Sequence, residues 1–62
     1  MMNAIKRARL LQGMTQTELS EKVGVSPVAV CKWERGVTSP AVKRLKKIAD
    51  VLNTTVNELL EE

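Results

Sequence analysis

The side chains that could do covalent chemistry are almost all missing from this sequence. Its 62 residues include no histidine, no tyrosine and a single cysteine, Cys31. No Ser–His or Cys–His nucleophile pair can be assembled, and no histidine-containing metal site. The remaining groups form no set of acid, base and nucleophile, and no phosphate-cradling loop. The expectation is a protein that is not an enzyme and that uses no cofactor and no metal. What the chain has in quantity is cations. Ten Lys and Arg stand against seven Asp and Glu, a net charge of +3. Residues 1–49 hold all ten bases and only Glu18, Glu21 and Glu34, a net of +7; residues 50–62 hold Asp50, Glu58, Glu61 and Glu62, a net of −4. A basic body with an acidic tail suits a polyanionic partner, with one end kept off it.

The most informative spacing lies between Ser26 and Arg35. On a helix, Val28, Lys32 and Arg35 share one face with Cys31 at its edge, while Val30 and Trp33 turn another way. Lys32 can donate to guanine O6 and N7 or to a phosphate, and a valine outside the core stripe suits a thymine methyl. The competing reading of Val28 is a partly buried residue with no role in readout. Cys31 has two readings as well: a small packing residue at the edge of this face, or a thiol beside Lys32 whose oxidation would block binding of a nucleic acid there. Trp33 is the lone aromatic residue. One ring makes no stacking platform, and its helical phase puts it in the core.

Elements must hold that face in place. Asn3 is a plausible N-cap for a first helix to about Gln12, on which Ala4, Ala8 and Leu11 form an inward line with Ile5 beside them. Gly13 ends it. Thr15-Gln16-Thr17-Glu18 reads as a capping box opening a second helix that Gly24 stops. Ser26-Pro27 opens the third, running to Arg35 before Gly36. Ser39-Pro40 repeats the device for a fourth, with Val42, Leu45, Ile48, Ala49 and Leu52 as its apolar stripe. Thr55-Val56-Asn57-Glu58 is a second capping box, for a fifth helix. No segment alternates like a strand. Five short helices in one domain over 1–62 are predicted. No apolar run approaches the roughly 20 residues of a membrane span. One cysteine cannot make an internal disulfide, so a reducing, cytoplasmic setting is expected, with no membrane partner.

Two short helices joined through Gly24-Val25-Ser26 describe a helix-turn-helix. From Met14 to Gly36 the sequence resembles that of the phage repressor and Cro family, also called the XRE family. The later pattern Pro40, Leu45, Ile48-Ala49, Leu52 and Leu59-Leu60 is similar to that family's last two helices. Ser20 departs from it, standing where the family most often has Ala. The resemblance implies an all-α, compact five-helix bundle of the lambda-repressor-like type with the helix-turn-helix at helices 2 and 3. It implies a sequence-specific transcriptional regulator, a repressor, reading double-stranded DNA as a homodimer. Base readout would fall to Ser26, Pro27, Val28, Cys31 and Lys32. Pro27 lacks the side-chain donor that relatives often carry there. Gln16, Arg9, Arg35, Thr38, Ser39, Lys43 and Arg44 would hold phosphates. The resemblance makes Arg9 and Glu34 a buried structural ion pair as well. Val51, Val56, Leu59 and Leu60 exceed the needs of one small core and are expected at a dimer contact. A second reading is an interaction module that docks a protein partner such as a toxin or an antirepressor.

Overall fold

The computed structural model describes residues 3–60. Five α-helices follow in order: α1 Ala4–Leu11, α2 Gln16–Val23, α3 Pro27–Arg35, α4 Val42–Val51 and α5 Val56–Leu60. Among the described residues there is no strand. Helices this short are marginal alone in water, so burial must hold them. Leu19, Val30 and Ile48 are fully buried at the centre, with Ile5, Val23, Trp33, Leu45, Ala49, Leu52 and Leu59 around them. α2 packs on α3 and α4, α4 on α5, and α1 closes the bundle against α3 and α5.

The helix ends obey local rules in the first half of the chain. Asn3 caps α1, its Oδ1 accepting from the Ile5 amide at 2.8 Å. Its Nδ2 donates to the Trp33 carbonyl at 3.0 Å, tying the start of α1 to the end of α3. The sequence shows the cap but not this second bond. The box at α2 is complete: Thr15 Oγ1 accepts from the Glu18 amide, and Glu18 Oε1 accepts from the Thr15 amide. Gly24 then takes φ 87°, a left-handed turn that lets the chain double back into α3. Ser20 is buried, and its hydroxyl donates to the Thr17 carbonyl at 2.7 Å. That bond lets a serine occupy a site fit for Ala.

Several expectations are corrected. Leu11, placed on the inward line of α1, is 79% exposed. The inward arc is instead Ala4, Ile5, Ala8 and Arg9. Leu11 lies within about 20° of the buried Ala4 around the helix, but it is the last residue of α1, so its exposure follows from its place along the helix and not from its phase. Ser39-Pro40 does not start α4; Ala41 is the N-cap, with no side-chain bond. Val42, assigned to the stripe, is 69% exposed. It is the first residue of α4, and its side chain leans back past the helix end over the loop. The box at α5 is half made: Thr55 caps the Glu58 amide, but the Glu58 carboxylate accepts from the Thr54 hydroxyl instead. Asn53 takes φ 56° and turns the chain out of α4.

Candidate nucleic-acid interface

α3 presents the face that the sequence analysis singled out. Val30 and Trp33 are buried, while Val28, Lys32 and Arg35 are exposed. Val28 is 61% exposed, so it is not a core residue. Cys31 is half-buried at the edge of the face. Ser26 and Pro27 are exposed at its N-terminal end. The Ser26 Oγ accepts from the Ala29 amide at 3.2 Å, which leaves its hydroxyl proton free for a ligand. The loop after α3 carries Thr38 and Ser39, and the first turn of α4 carries Lys43 and Arg44, all four exposed. Ala41, Lys43, Arg44 and Lys47 line one shallow depression. Lys47 therefore stands beside Lys43 and Arg44, two of the cations expected to hold phosphates.

Behind this face lies a buried polar knot. Arg9 Nε and Nη2 donate to the two oxygens of Glu34 at 2.6 and 2.9 Å. Arg9 Nη1 donates to the Met14 carbonyl at 2.7 Å. Gln16 Nε2 donates to Glu34 Oε1 at 3.1 Å. One carboxylate thus joins α1, the start of α2 and the end of α3. The side chain of Glu34 is 3% exposed and that of Arg9 8%. The hydrogen bond to Glu34 raises the Arg9 pKa above its ordinary value, against the opposing effect of burial. This guanidinium is spent on the fold, with little surface left for the phosphate contact also expected of it. Gln16 is half-buried. One amide hydrogen is committed to Glu34, and its carbonyl and second N–H remain for another partner.

The expected dimer set divides in the structure. Leu59 is in the core, and Val51 and Val56 are half-buried against it. Of the four, only Leu60 is exposed. No helix among the described residues is long and apolar enough to cross a membrane.

The turn between α2 and α3, the cap at each helix start and the exposed α3 face together form a helix-turn-helix, and residues 5–59 match the helix-turn-helix family over nearly the whole chain. The chain belongs to this family, in its XRE branch. Among the family's transcriptional regulators, SinR of Bacillus subtilis is 37% identical over 59 residues, covering 94% of this chain and 53% of that protein. The transcriptional activator BcrR of Enterococcus faecalis is 36% identical over 56 residues, covering 90% of this chain and 28% of that protein. The chain thus spans about half the length of one relative and about a quarter of the other. The crystal structure of SinR in complex with DNA superposes with a TM-score of 0.85 at 34% identity, covering 92% of each chain. Family membership accounts for the five-helix order and the position of the turn.

Proposed function

We propose that this helix-turn-helix chain is a sequence-specific double-stranded DNA-binding regulator that reads a near-palindromic operator as a homodimer. α3, Pro27–Arg35, lies in the major groove. The observation that carries the reading is the α3 face itself. A valine with most of its surface in water stands one helical turn from Lys32, and Arg35 stands at i+7. An exposed apolar side chain and two cations at helical spacing on one face fit a thymine methyl beside a guanine, with a phosphate near. Lys32 reads the base edge, and Val28 reads the methyl. Ser26, Pro27 and Cys31 border them. Gln16, Arg35, Thr38, Ser39, Lys43 and Arg44 hold the backbone on either side. The likeness to a regulator solved on DNA supports this orientation.

The body measures about 23 Å in each direction. Two such bodies side by side allow a pair of α3 helices one DNA turn apart, roughly 34 Å. A dimer held across promoter DNA by these contacts would exclude other proteins from it, which makes repression the expected action. BcrR, named an activator, shows that a relative can act in the other direction. The test is selection of random duplexes by the purified protein, then a salt titration on the winner. A two-fold site with affinity falling steeply in salt supports the reading. A flat selection with weak binding overturns it and turns the search to a protein partner.

A further inference from the structure

We propose that Asn3 is a positioning residue for sequence readout: through the Trp33 carbonyl it fixes the end of α3 from which Lys32, Arg35 and the loop residues Thr38 and Ser39 reach DNA. The inference rests on the DNA reading above and adds to it a residue outside the DNA face. The two ends of α3 are held differently. At the N-terminal end the Gly24 and Val25 amides donate to the Ser20 carbonyl at 2.8 and 2.9 Å, so the turn itself fastens α3 to α2. At the other end the chain runs into an exposed loop, residues 36–39. That end is fastened sideways, to α1, by two polar ties. Glu34 is held by Arg9, and the Trp33 carbonyl by Asn3 Nδ2 at 3.0 Å. The first tie grips a side chain, whereas the second grips the backbone of α3.

An amide is the group this position needs. Oδ1 accepts from the Ile5 amide and caps α1, while Nδ2 donates across to α3. Asp and Ser cap a helix as well. Asp has no donor, however, and Ser has one short hydroxyl where Asn has two separate atoms. The Trp33 carbonyl has two lone pairs. The Gly36 amide takes one, at 3.2 Å, as α3 closes at its glycine, and Asn3 takes the other. Asn3, Trp33, Gly36, Thr38 and Ser39 line one depression, so the tie lies beside the loop expected to hold phosphates. A nine-residue helix is about 13 Å long, so a tilt of about 5° about its first turn shifts its last turn by roughly 1 Å. That is about twice the roughly 0.5 Å spread of N–H···O lengths. Phosphate contacts fix the register in which bases are read. An end of α3 free to tilt therefore loses discrimination before it loses charge attraction.

Two substitutions cut the tie and keep the cap. Asn3→Asp puts an acceptor where the donor was, and Asn3→Ser removes the donor without adding charge. Thr55→Ala removes the cap of α5 and is the control for lost stability alone. Each protein is titrated with the selected duplex and with a scrambled duplex of equal length, so selectivity is a ratio in which net charge cancels. Both Asn3 variants are expected to lose about tenfold in that ratio, the effect of one mismatched base pair. Their slope of log affinity against log salt is expected to match wild type, because no cation is removed. Thr55→Ala is expected to keep wild-type selectivity. Amide exchange in the free proteins reads the tie without DNA. The Gly36 and Val37 amides are expected to exchange about tenfold faster in both Asn3 variants, relative to the Leu19 amide in α2. Full selectivity in both Asn3 variants, unchanged exchange at Gly36 and Val37, or an equal loss of selectivity in Thr55→Ala overturns the inference. A wild type that discriminates between no duplexes overturns the DNA reading and the inference with it. A selective wild type whose Asn3 variants are equally selective removes the role of Asn3 and leaves the DNA reading standing.

Discussion

The α2–α3 unit and α4 are helices of similar length built on opposite local rules. α2 has a complete capping box, with Glu18 at the third helical position. α3 has Ser26 as its cap and Pro27 in its first turn. Both end at a glycine with positive φ. α4 has Ala41 at its cap position with no side-chain bond, and no acid in its first turn. Its third position is Arg44, where α2 has Glu18, so a cation sits at the positive end of the helix dipole. Lys43, Arg44, Lys46 and Lys47 then stand three and four apart with like charge, each such pair costing about 0.2–0.5 kcal/mol. α4 folds because Leu45, Ile48, Ala49 and Leu52 are buried. The comparison teaches where each region gets its order. Local sequence sets the helix-turn-helix, and the core sets α4, whose exposed side carries four cations.

The largest expected effect comes from cutting the knot that fastens the helix-turn-helix to the rest of the fold. Glu34→Ala leaves Arg9 buried with two unpaired donors and frees Gln16. Breaking a buried pair in this way costs about 3–5 kcal/mol. At about 4–8 °C per kcal/mol for a domain of this size, the melting temperature is expected to fall by more than about 10 °C. Lys32→Ala, on the exposed face of the same helix, is expected to shift it little. Equal melting curves for Glu34→Ala and wild type would break the comparison at its root, since α3 would then need no link beyond its own caps.

Next comes the charge on α4. Lys43→Ala together with Arg44→Ala is expected to weaken DNA binding evenly across sequences. The slope of log affinity against log salt is expected to fall by roughly 2, about one for each phosphate no longer neutralised. The same double variant is expected to fold at least as stably as wild type, because it relieves the dipole and like-charge penalties. Salt titration and chemical denaturation of one preparation give both readings. A less stable protein with an unchanged salt slope would mean that these cations serve the fold.

Capping sharpens the contrast at smaller scale. Thr15→Ala is expected to destabilise by about 1 kcal/mol, while Ala41→Ser is expected to stabilise by about 0.5–1 kcal/mol by supplying the missing cap. Urea denaturation at a common slope compares them. If Ala41→Ser gained nothing, the start of α4 would already be satisfied in some other way, and the local-rule contrast would lose its physical basis.

The same contrast explains what was legible in the sequence. Thr15–Glu18, Ser26-Pro27, Gly24 and Gly36 act over three or four residues, so reading them required no knowledge of the fold. The start of α4 was misread at Ser39-Pro40 for the opposite reason: a cap-like pair is only an offer, and the packing of Leu45 and Ile48 decided where the helix began. Leu11 was misread because periodicity gives the phase around a helix and not how far along it the bundle covers. The inward place of Arg9 was set 25 residues away, by Glu34, and entered through family resemblance. The exposed face of α3 was legible, since Val28 falls outside the phase of Val30 and Trp33. Asn3 reaching the Trp33 carbonyl, and Lys47 joining Lys43 and Arg44 at one depression, are products of tertiary placement and left no pattern to read.

The smallest expected effect is one of pH, and it belongs to α2 alone. The Glu18 carboxylate accepts from the Thr15 amide, and this bond chiefly holds its pKa below the usual carboxylate range, with help from the Thr15 hydroxyl and from Lys22. A carboxylate with a lower pKa folded than unfolded stabilises the protein above the unfolded value. That contribution is lost as pH falls through the folded one. Wild type is therefore expected to lose a small increment of stability on acidification that Glu18→Gln lacks, because the amide oxygen can still accept the hydrogen bond but does not titrate. Arg44→Gln, at the matching position of α4, is the control and is expected to leave the acid limb unchanged. Denaturation series from neutral to acid pH on the three proteins decide the matter. An acid limb in Glu18→Gln identical to that of wild type would place the lost protonation elsewhere and leave the box as a hydrogen-bonding device with no electrostatic share.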